Sequence, residues 1–365
     1  MPIVVRLVAI FACVCCSLQA RAEINIHELI REAGLREGPV AMRERPGWQS
    51  PQTIVFWSSG GFDVELPTIA RLVRFVEVNS MAELLAEAEH ADGIVGSCNA
   101  EVIAAAPRLQ WVQQYGSGAE RCLAVPEVGS GQVVMTNMQK MSSPVIAEHA
   151  IAMTLALGRG LPQFARNMSE GSWERRPESV RFASVDGQTM LVVGLGGIGT
   201  QTAKRAAALG MTVYATRNSS REGPDFVEYV GLSHELLELA GKADVIVNAL
   251  PLTPSTEGLF DAEFFAAAKP GALFISVGRG QSTVTDDLVA ALNSGQIGGA
   301  GLDVTDPEPL PADHALWQLP NVIITPHMSG SAVNRQRHQA VVKENLRRFL
   351  NGDALLNVVD PEKGY

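Results

Sequence analysis

Four features of this sequence carry residue types that could do chemistry. Gly194-Leu195-Gly196-Gly197-Ile198-Gly199 is a GxGxxG run; Arg279 lies between two glycines, Glu308 between two prolines, and His327 after Pro326 at the end of an apolar stretch. A protonated histidine can give its proton to a carbonyl oxygen as hydride reaches the carbonyl carbon, and it acts as base in the reverse direction. A carboxylate beside the imidazole fixes its orientation and favours the charged form. An arginine is a forked, permanently charged donor suited to a carboxylate or carbonyl. Taken singly, each also has a plainer reading: a hydrogen-bonded structural histidine, an acid in the surface turn Asp306-Pro307-Glu308-Pro309, and a loop charge.

The glycine run gains meaning from its neighbours. It follows the apolar stretch Met190-Leu191-Val192-Val193 and opens into a helical pattern from Ile198 to Leu209. Glycines let the backbone turn sharply and come close to a pyrophosphate, while the helix N-terminus supplies unpaired N–H groups and a positive dipole end. A lone GxGxxG is weak; in a strand–turn–helix context it reads as a dinucleotide cradle. An acid about 20 residues past the first glycine would bind the ribose 2′-hydroxyl of NAD. Here the next strand ends Tyr214-Ala215-Thr216-Arg217-Asn218-Ser219, with no acid. Arg217 is either a solvated loop charge or a partner for a 2′-phosphate, and it favours NADP over NAD.

These residues must be positioned by alternating elements. Candidate strands are Thr53–Ser59, Leu72–Val78, Gly93–Ser97, Leu109–Gly116 and Val133–Asn137, with a helical stretch from Met81 to His90. A second series reads Thr189–Gly194, Thr212–Ala215, Val245–Ala249, Ala272–Val277, Gly299–Val304 and Val322–Thr325. Strands separated by helices predict βαβ units and parallel sheets. Between the two series, Pro144 to Phe164 reads as one long apolar helix, and Asn334 to Leu350 as a closing helix. Glu23 to Gln52 reads as a polar, irregular lead. At 365 residues the chain fits two domains. The expected class is α/β, with two Rossmann-like doubly wound parallel-sheet domains flanking a cleft. A substrate domain over 23–157, completed by 328–365, would face a dinucleotide-binding domain over 158–327.

Composition narrows the partners. A net charge of −10 disfavours nucleic acid and anionic membrane surfaces. Arg6, an apolar run from Leu7 to Leu18 and Ala20-Arg21-Ala22 together read as a secretory signal peptide over residues 1–22. The competing reading is a first strand from Val4 to Phe11. Export conflicts with a cofactor concentrated inside cells, and Arg6 alone is no twin-arginine signal. Of five cysteines, Cys13, Cys15 and Cys16 fall in this segment. Cys98 and Cys122 read as two buried free thiols, with a disulfide left open for an oxidising compartment. No spacing resembles a zinc site, so no metal is expected.

From about Gly93 to Asn351 the chain resembles the D-isomer-specific 2-hydroxyacid dehydrogenases. The resemblance rests on Gly194 to Gly199, Pro251-Leu252-Thr253, Phe274 to Gly280, Leu302-Asp303-Val304 with Glu308-Pro309-Leu310, and Leu319 to His327. It implies His327 as acid/base, Glu308 as its partner and Arg279 as substrate anchor, acting on a small 2-oxo or 2-hydroxy acid of glyoxylate or hydroxypyruvate type. It places Pro251 and Val277 beside the cofactor, Asp303 at the nicotinamide amide, and the backbone of Ser117 and Gly118 at the substrate carboxylate. Relatives often carry Asp where Glu120 stands and Asn where Ser276 stands; His149 also fits a family pattern, on a helix that reads as structural. A homodimer is implied. Formate dehydrogenases of the same fold usually carry an amide at the position of Glu308, which counts against that reading. A dinucleotide-sensing interaction protein, similar to the family's corepressors, is the alternative from another class; turnover separates the two.

Overall fold

The computed structural model describes residues 24–58, 73–177, 182–218 and 220–364. The segment read as a signal peptide lies outside the described residues. Five parallel strands form the first sheet: β1 (Thr53–Trp57), β2 (Arg74–Val78), β3 (Gly93–Val95), β4 (Trp111–Gln113) and β5 (Val134–Thr136), in the order β2-β1-β3-β4-β5. Around them run α1 (Ile26–Ala33), α2 (Met81–Ala88), α3 (Ala100–Ala104), α4 (Glu120–Leu123) and α5 (Pro126–Gly129). Strands β3, β4 and β5 are buried at every residue, because helices cover both faces of a parallel sheet. Side-chain alternation then builds two cores. Val55, Ile94, Val112 and Met135 fill one face, and Ile54, Phe56, Trp111 and Val134 fill the other.

Next come α6 (Ser143–Gly158) and α7 (Leu161–Glu170), then a seven-stranded parallel sheet. Its strands are β6 (Thr189–Val193), β7 (Thr212–Arg217), β8 (Tyr229–Leu232), β9 (Val245–Asn248), β10 (Ala272–Ser276), β11 (Ile297–Leu302) and β12 (Val322–Ile324), ordered β12-β11-β10-β9-β6-β7-β8. Helices α8 (Gly197–Ala208), α9 (Leu236–Ala240), α10 (Ala262–Ala267) and α11 (Thr285–Ser294) complete it. The strand order reverses between β6 and β9, and ligands in such sheets bind at that crevice. On α6, Ala150, Ile151 and Met153 share a core with Met190, Val192 and Ile275. The last helix, α12 (Arg335–Asn351), packs on the first sheet instead, with Phe349 5.0 Å from Trp111 ring to ring.

Four expectations need correction. The lead from Glu23 to Gln52 is not irregular, since it contains α1. Asn25 caps that helix, Gly34 ends it in the left-handed conformation, and Ile26, Leu29, Ile30 and Ala33 form one apolar face. The single helix from Pro144 to Phe164 is two helices. Gly160 at φ +64° breaks the chain direction, and Pro162 starts α7 because its missing N–H is needless in a first turn. Strand β8 was not expected, being short and at the sheet edge. Cys98 and Cys122 are not free thiols: they form a disulfide, with Cα atoms 5.6 Å apart.

Candidate active site

The cofactor loop lies at the strand-order reversal, between β6 and α8. Gly194 has φ +96°, and a methyl group there would sit 2.9 Å from a Leu250 methyl and 3.1 Å from the Ala249 carbonyl oxygen. A methyl on Gly199 would lie 2.0 Å from the Gly194 carbonyl oxygen, so this position packs helix against strand. Gly196 differs, because a methyl there meets nothing within 4 Å. It faces open space at the helix N-terminus, where a pyrophosphate would approach. Ile198 follows inside the first turn of α8, and Gly197 lies against Ser143 and Lys140. The loop therefore fits a dinucleotide. At the end of β7, Arg217 donates from Nη1 to the Glu222 carbonyl at 2.9 Å. Among the described residues its charge has no carboxylate partner, whereas nearby Arg221 is paired with Glu235. Pro251 follows β9 in a turn closed by a 2.7 Å bond from Thr256 Oγ1 to the Pro251 carbonyl.

Arg279 stands on a built platform beyond β10. A methyl on Gly278 would be 2.6 Å from the Leu250 carbonyl oxygen, and one on Gly280 1.8 Å from that of Thr305. Both glycines are needed because neighbouring backbones pass against the arginine. Below them, buried Asn248 donates from Nδ2 to Ser276 Oγ (3.1 Å) and Ser282 Oγ (2.7 Å). Ser282 Oγ donates in turn to the Arg279 carbonyl at 2.7 Å. Ser276 thus accepts a hydrogen bond inside this network. Val277 is buried, its N–H held by the Asn248 carbonyl. The Arg279 guanidinium crosses to the first domain. Its Nε donates to Glu120 Oε1 at 2.9 Å, and its Nη1 to the Gly278 carbonyl at 2.9 Å. The Gly118 backbone is so close that a methyl there would be 2.9 Å from Nη2. Ser117 is fixed beside it: its Oγ donates to the Met138 carbonyl, and its own carbonyl accepts from Asn137 Nδ2. The structure therefore brings Ser117, Gly118 and Arg279 together.

His327 and Glu308 also meet. His327 Nδ1 lies 2.7 Å from Glu308 Oε1. An ionised carboxylate can only accept, so Nδ1 carries the hydrogen and Nε2 is left for the reacting oxygen. His327 has φ +51°, a conformation rare for a side chain of this size. Asp303 holds it there. The Asp303 carbonyl accepts the His327 N–H at 2.8 Å, and its carboxylate accepts from Thr325 Oγ1 (2.6 Å), Met328 N (2.9 Å) and Ser329 N (3.1 Å). Burial pushes the Asp303 carboxyl up, but the bonds from Ser329, Thr325 and Met328 outweigh it and hold the group below the usual carboxylate range. Asp303 is 1 % exposed, and its bonds shape the histidine loop. Thr325 gives its one hydrogen to Asp303, so His149 Nε2, at 2.9 Å, must donate to Thr325. That agrees with His149 as a structural residue. Among the described residues no cluster of side chains could hold a metal ion, and no helix is long and apolar enough to cross a membrane.

Residues 151–329 match the family described as D-isomer specific 2-hydroxyacid dehydrogenase, NAD binding domain. Glyoxylate reductase of Korarchaeum cryptofilum is 34 % identical over 72 % of this chain and 80 % of its own length. The chain belongs to the D-isomer specific 2-hydroxyacid dehydrogenase family. It is thus an NAD(P)-dependent dehydrogenase acting on CH–OH donors. D-3-phosphoglycerate dehydrogenase of Mycobacterium bovis is also 34 % identical, over 79 % of this chain, but the chain spans only 54 % of that relative's length. Two solved family members each match over 86 % of this chain and 100 % of their own. One is a 2-hydroxyacid dehydrogenase from Xanthobacter autotrophicus in complex with NADPH and MES (TM-score 0.74, 28 % identity). The other is an NADPH-dependent glyoxylate/hydroxypyruvate reductase from Sinorhizobium meliloti in complex with NADP and sulfate (TM-score 0.72, 27 % identity). Sequence reasoning about this family member missed Asn248 and Ser282 and gave Glu120 no role. No local pattern marks them, because the contacts that join Asn248 to Ser276 and Ser282, and Glu120 to Arg279, span 28 to 159 residues.

Proposed function

We propose that this dehydrogenase reduces small 2-oxo acids of glyoxylate and hydroxypyruvate type to D-2-hydroxy acids, with NADP(H) preferred over NAD(H). The observation that carries the reading is the 2.7 Å contact of His327 with Glu308, beyond the C-terminal end of β12 as Arg279 stands beyond that of the parallel strand β10. Gly194, Gly196, Gly197, Ile198 and Gly199 would hold the pyrophosphate, with Pro251 and Val277 beside the nicotinamide; the bound nicotinamide supplies the hydride. Arg279 and the backbone at Ser117 and Gly118 hold the substrate carboxylate and turn its carbonyl oxygen toward His327. Glu308 keeps the Nδ1 hydrogen in place, and Nε2 delivers a proton to that oxygen as charge builds on it. Oxidation runs the same proton back to Nε2.

The NADP preference rests on Arg217, whose charge lacks a carboxylate partner among the described residues, and on the absence of an acid at the end of β7. Steady-state reduction of glyoxylate with each cofactor tests both halves. Arg217→Ala should weaken NADPH use about 10-fold or more while leaving NADH nearly unchanged. A wild-type protein that oxidised neither cofactor with a panel of 2-oxo acids would refute the reading. Exposed Leu161, Met168 and Trp173 in and just after α7 support a homodimer, which light scattering would check. The Cys98–Cys122 disulfide supports export to an oxidising compartment, where N-terminal sequencing of the natural protein should find residues 1–22 removed.

A further inference from the structure

Arg279 does not stand alone in the cleft. Its Nε is taken by Glu120 Oε1 at 2.9 Å, an ion pair between the two domains formed by residues 159 positions apart. Nη1 spends one hydrogen on the Gly278 carbonyl, and Nη2 has no hydrogen bond among the described residues. A guanidinium has five N–H donors in a rigid fork, so about three remain for a substrate, one on Nη1 and two on Nη2 beside Gly118. Glu120 is itself close to the proposed carboxylate seat: its Oε2 would lie 3.1 Å from a methyl on Gly118.

The position of Glu120 is built into the fold. It opens α4, a four-residue helix with no side-chain cap, which would not persist by itself. Ala119 and Cys122 on either side of it are buried at 4 % and 3 % exposure, and Cys122 is covalently tied to Cys98 in the loop after β3. The carboxylate is thereby presented to Arg279 from a fixed point.

We propose that Glu120 is a positioning and specificity residue: it orients the Arg279 fork and offsets part of its charge, so that the cleft suits substrates with one carboxylate over those with two. The proposal rests on the reading of Arg279 as substrate anchor. A substrate bearing one carboxylate needs one compensating charge, which the partly neutralised arginine supplies. A second carboxylate finds the Glu120 charge already present and is repelled by it. One unit charge at about 6 Å, in surroundings between protein and water, changes binding by roughly 10-fold.

The test compares glyoxylate with oxaloacetate as 2-oxo mono- and diacid probes. kcat and KM are measured for the full-length protein and for Glu120→Gln, Glu120→Asp and Arg279→Ala. Glu120→Gln should raise the ratio of kcat/KM for oxaloacetate over glyoxylate about 10-fold, an advantage that added salt reduces. Glu120→Asp keeps the charge but withdraws the carboxylate by one methylene. Its selectivity should stay near wild type while kcat falls. A merely structural Glu120 would lower activity toward both acids equally; an unchanged ratio in Glu120→Gln therefore overturns the proposal. So does an equal shift in Glu120→Asp, which decides the matter even where Glu120→Gln fails to fold. If Arg279→Ala keeps wild-type kcat/KM for glyoxylate, the anchor reading itself has failed, a result distinct from an unchanged ratio.

Discussion

Replacing Glu308 separates what its charge does from what its hydrogen bond does. In the oxidative direction the imidazolium of His327 forms in the transition state, 2.7 Å from Glu308 Oε1. Glu308→Gln keeps an acceptor near Nδ1 and removes the negative charge. Opposite charges about 4 Å apart attract by about 1 kcal/mol in water and about 4 kcal/mol at an effective dielectric of 20. The two side chains are 46 % and 42 % exposed, which places this pair at the weak end, about 1–2 kcal/mol. That energy is realised only as the proton arrives, so kcat for oxidation should fall about 5- to 30-fold with little change in KM. Glu308→Ala also frees the ring to rotate and should cost about another 10-fold. The assay is steady-state oxidation of a D-2-hydroxy acid such as D-glycerate, with the C2 hydrogen and with deuterium there. The variants should show a larger isotope effect, since the chemical step becomes slower than product release. A Glu308→Gln kcat within about twofold of wild type, or a loss confined to KM, would refute the assignment of Glu308 as partner to the catalytic histidine.

Other outcomes follow from the same geometry. Gly199→Ala should abolish measurable NADPH binding by fluorescence titration and lower the melting temperature, because its methyl meets a backbone oxygen at 2.0 Å and neither strand nor helix can yield cheaply. Reducing the Cys98–Cys122 disulfide, which spans 24 residues, should destabilise the protein by about 3 kcal/mol, read as an earlier unfolding midpoint in urea with dithiothreitol than without. Burial pulls His338 below the ordinary histidine value, so the unfolded chain binds its proton first. Stability from this group is complete above the unfolded value, about 6.5, and drains as pH falls below it. His338→Gln should flatten that limb of the unfolding midpoint against pH. The lowered carboxyl of Asp303 predicts a second loss further down, as pH falls below the unfolded Asp value, about 3.9, and on through the folded one; Asp303→Asn should remove it.

What the sequence determined by itself is whatever depends on near neighbours. The cofactor loop was legible because a strand, three glycines and a helix start are contiguous, and the same steric needs recur at Gly278 and Gly280 around Arg279. Helix α1 carries local signals as well, in Asn25, the apolar spacing and Gly34, but the polar composition around them reads as an irregular lead. Gly160 and Pro162 likewise mark the break between α6 and α7, but the apolar run across them reads as one helix. Tertiary structure alone decided the rest. It set Glu120 against Arg279, joined Cys98 to Cys122, placed Asn248 and Ser282 beneath the arginine, and seated the Asp303 carboxylate under the histidine loop. Such pairings come from how parallel strands stack and which loops reach the crevice where the strand order reverses. A carboxylate records in its own sequence neighbourhood that it is charged. It does not record which distant cation the closing of two sheets will bring within 3 Å of it.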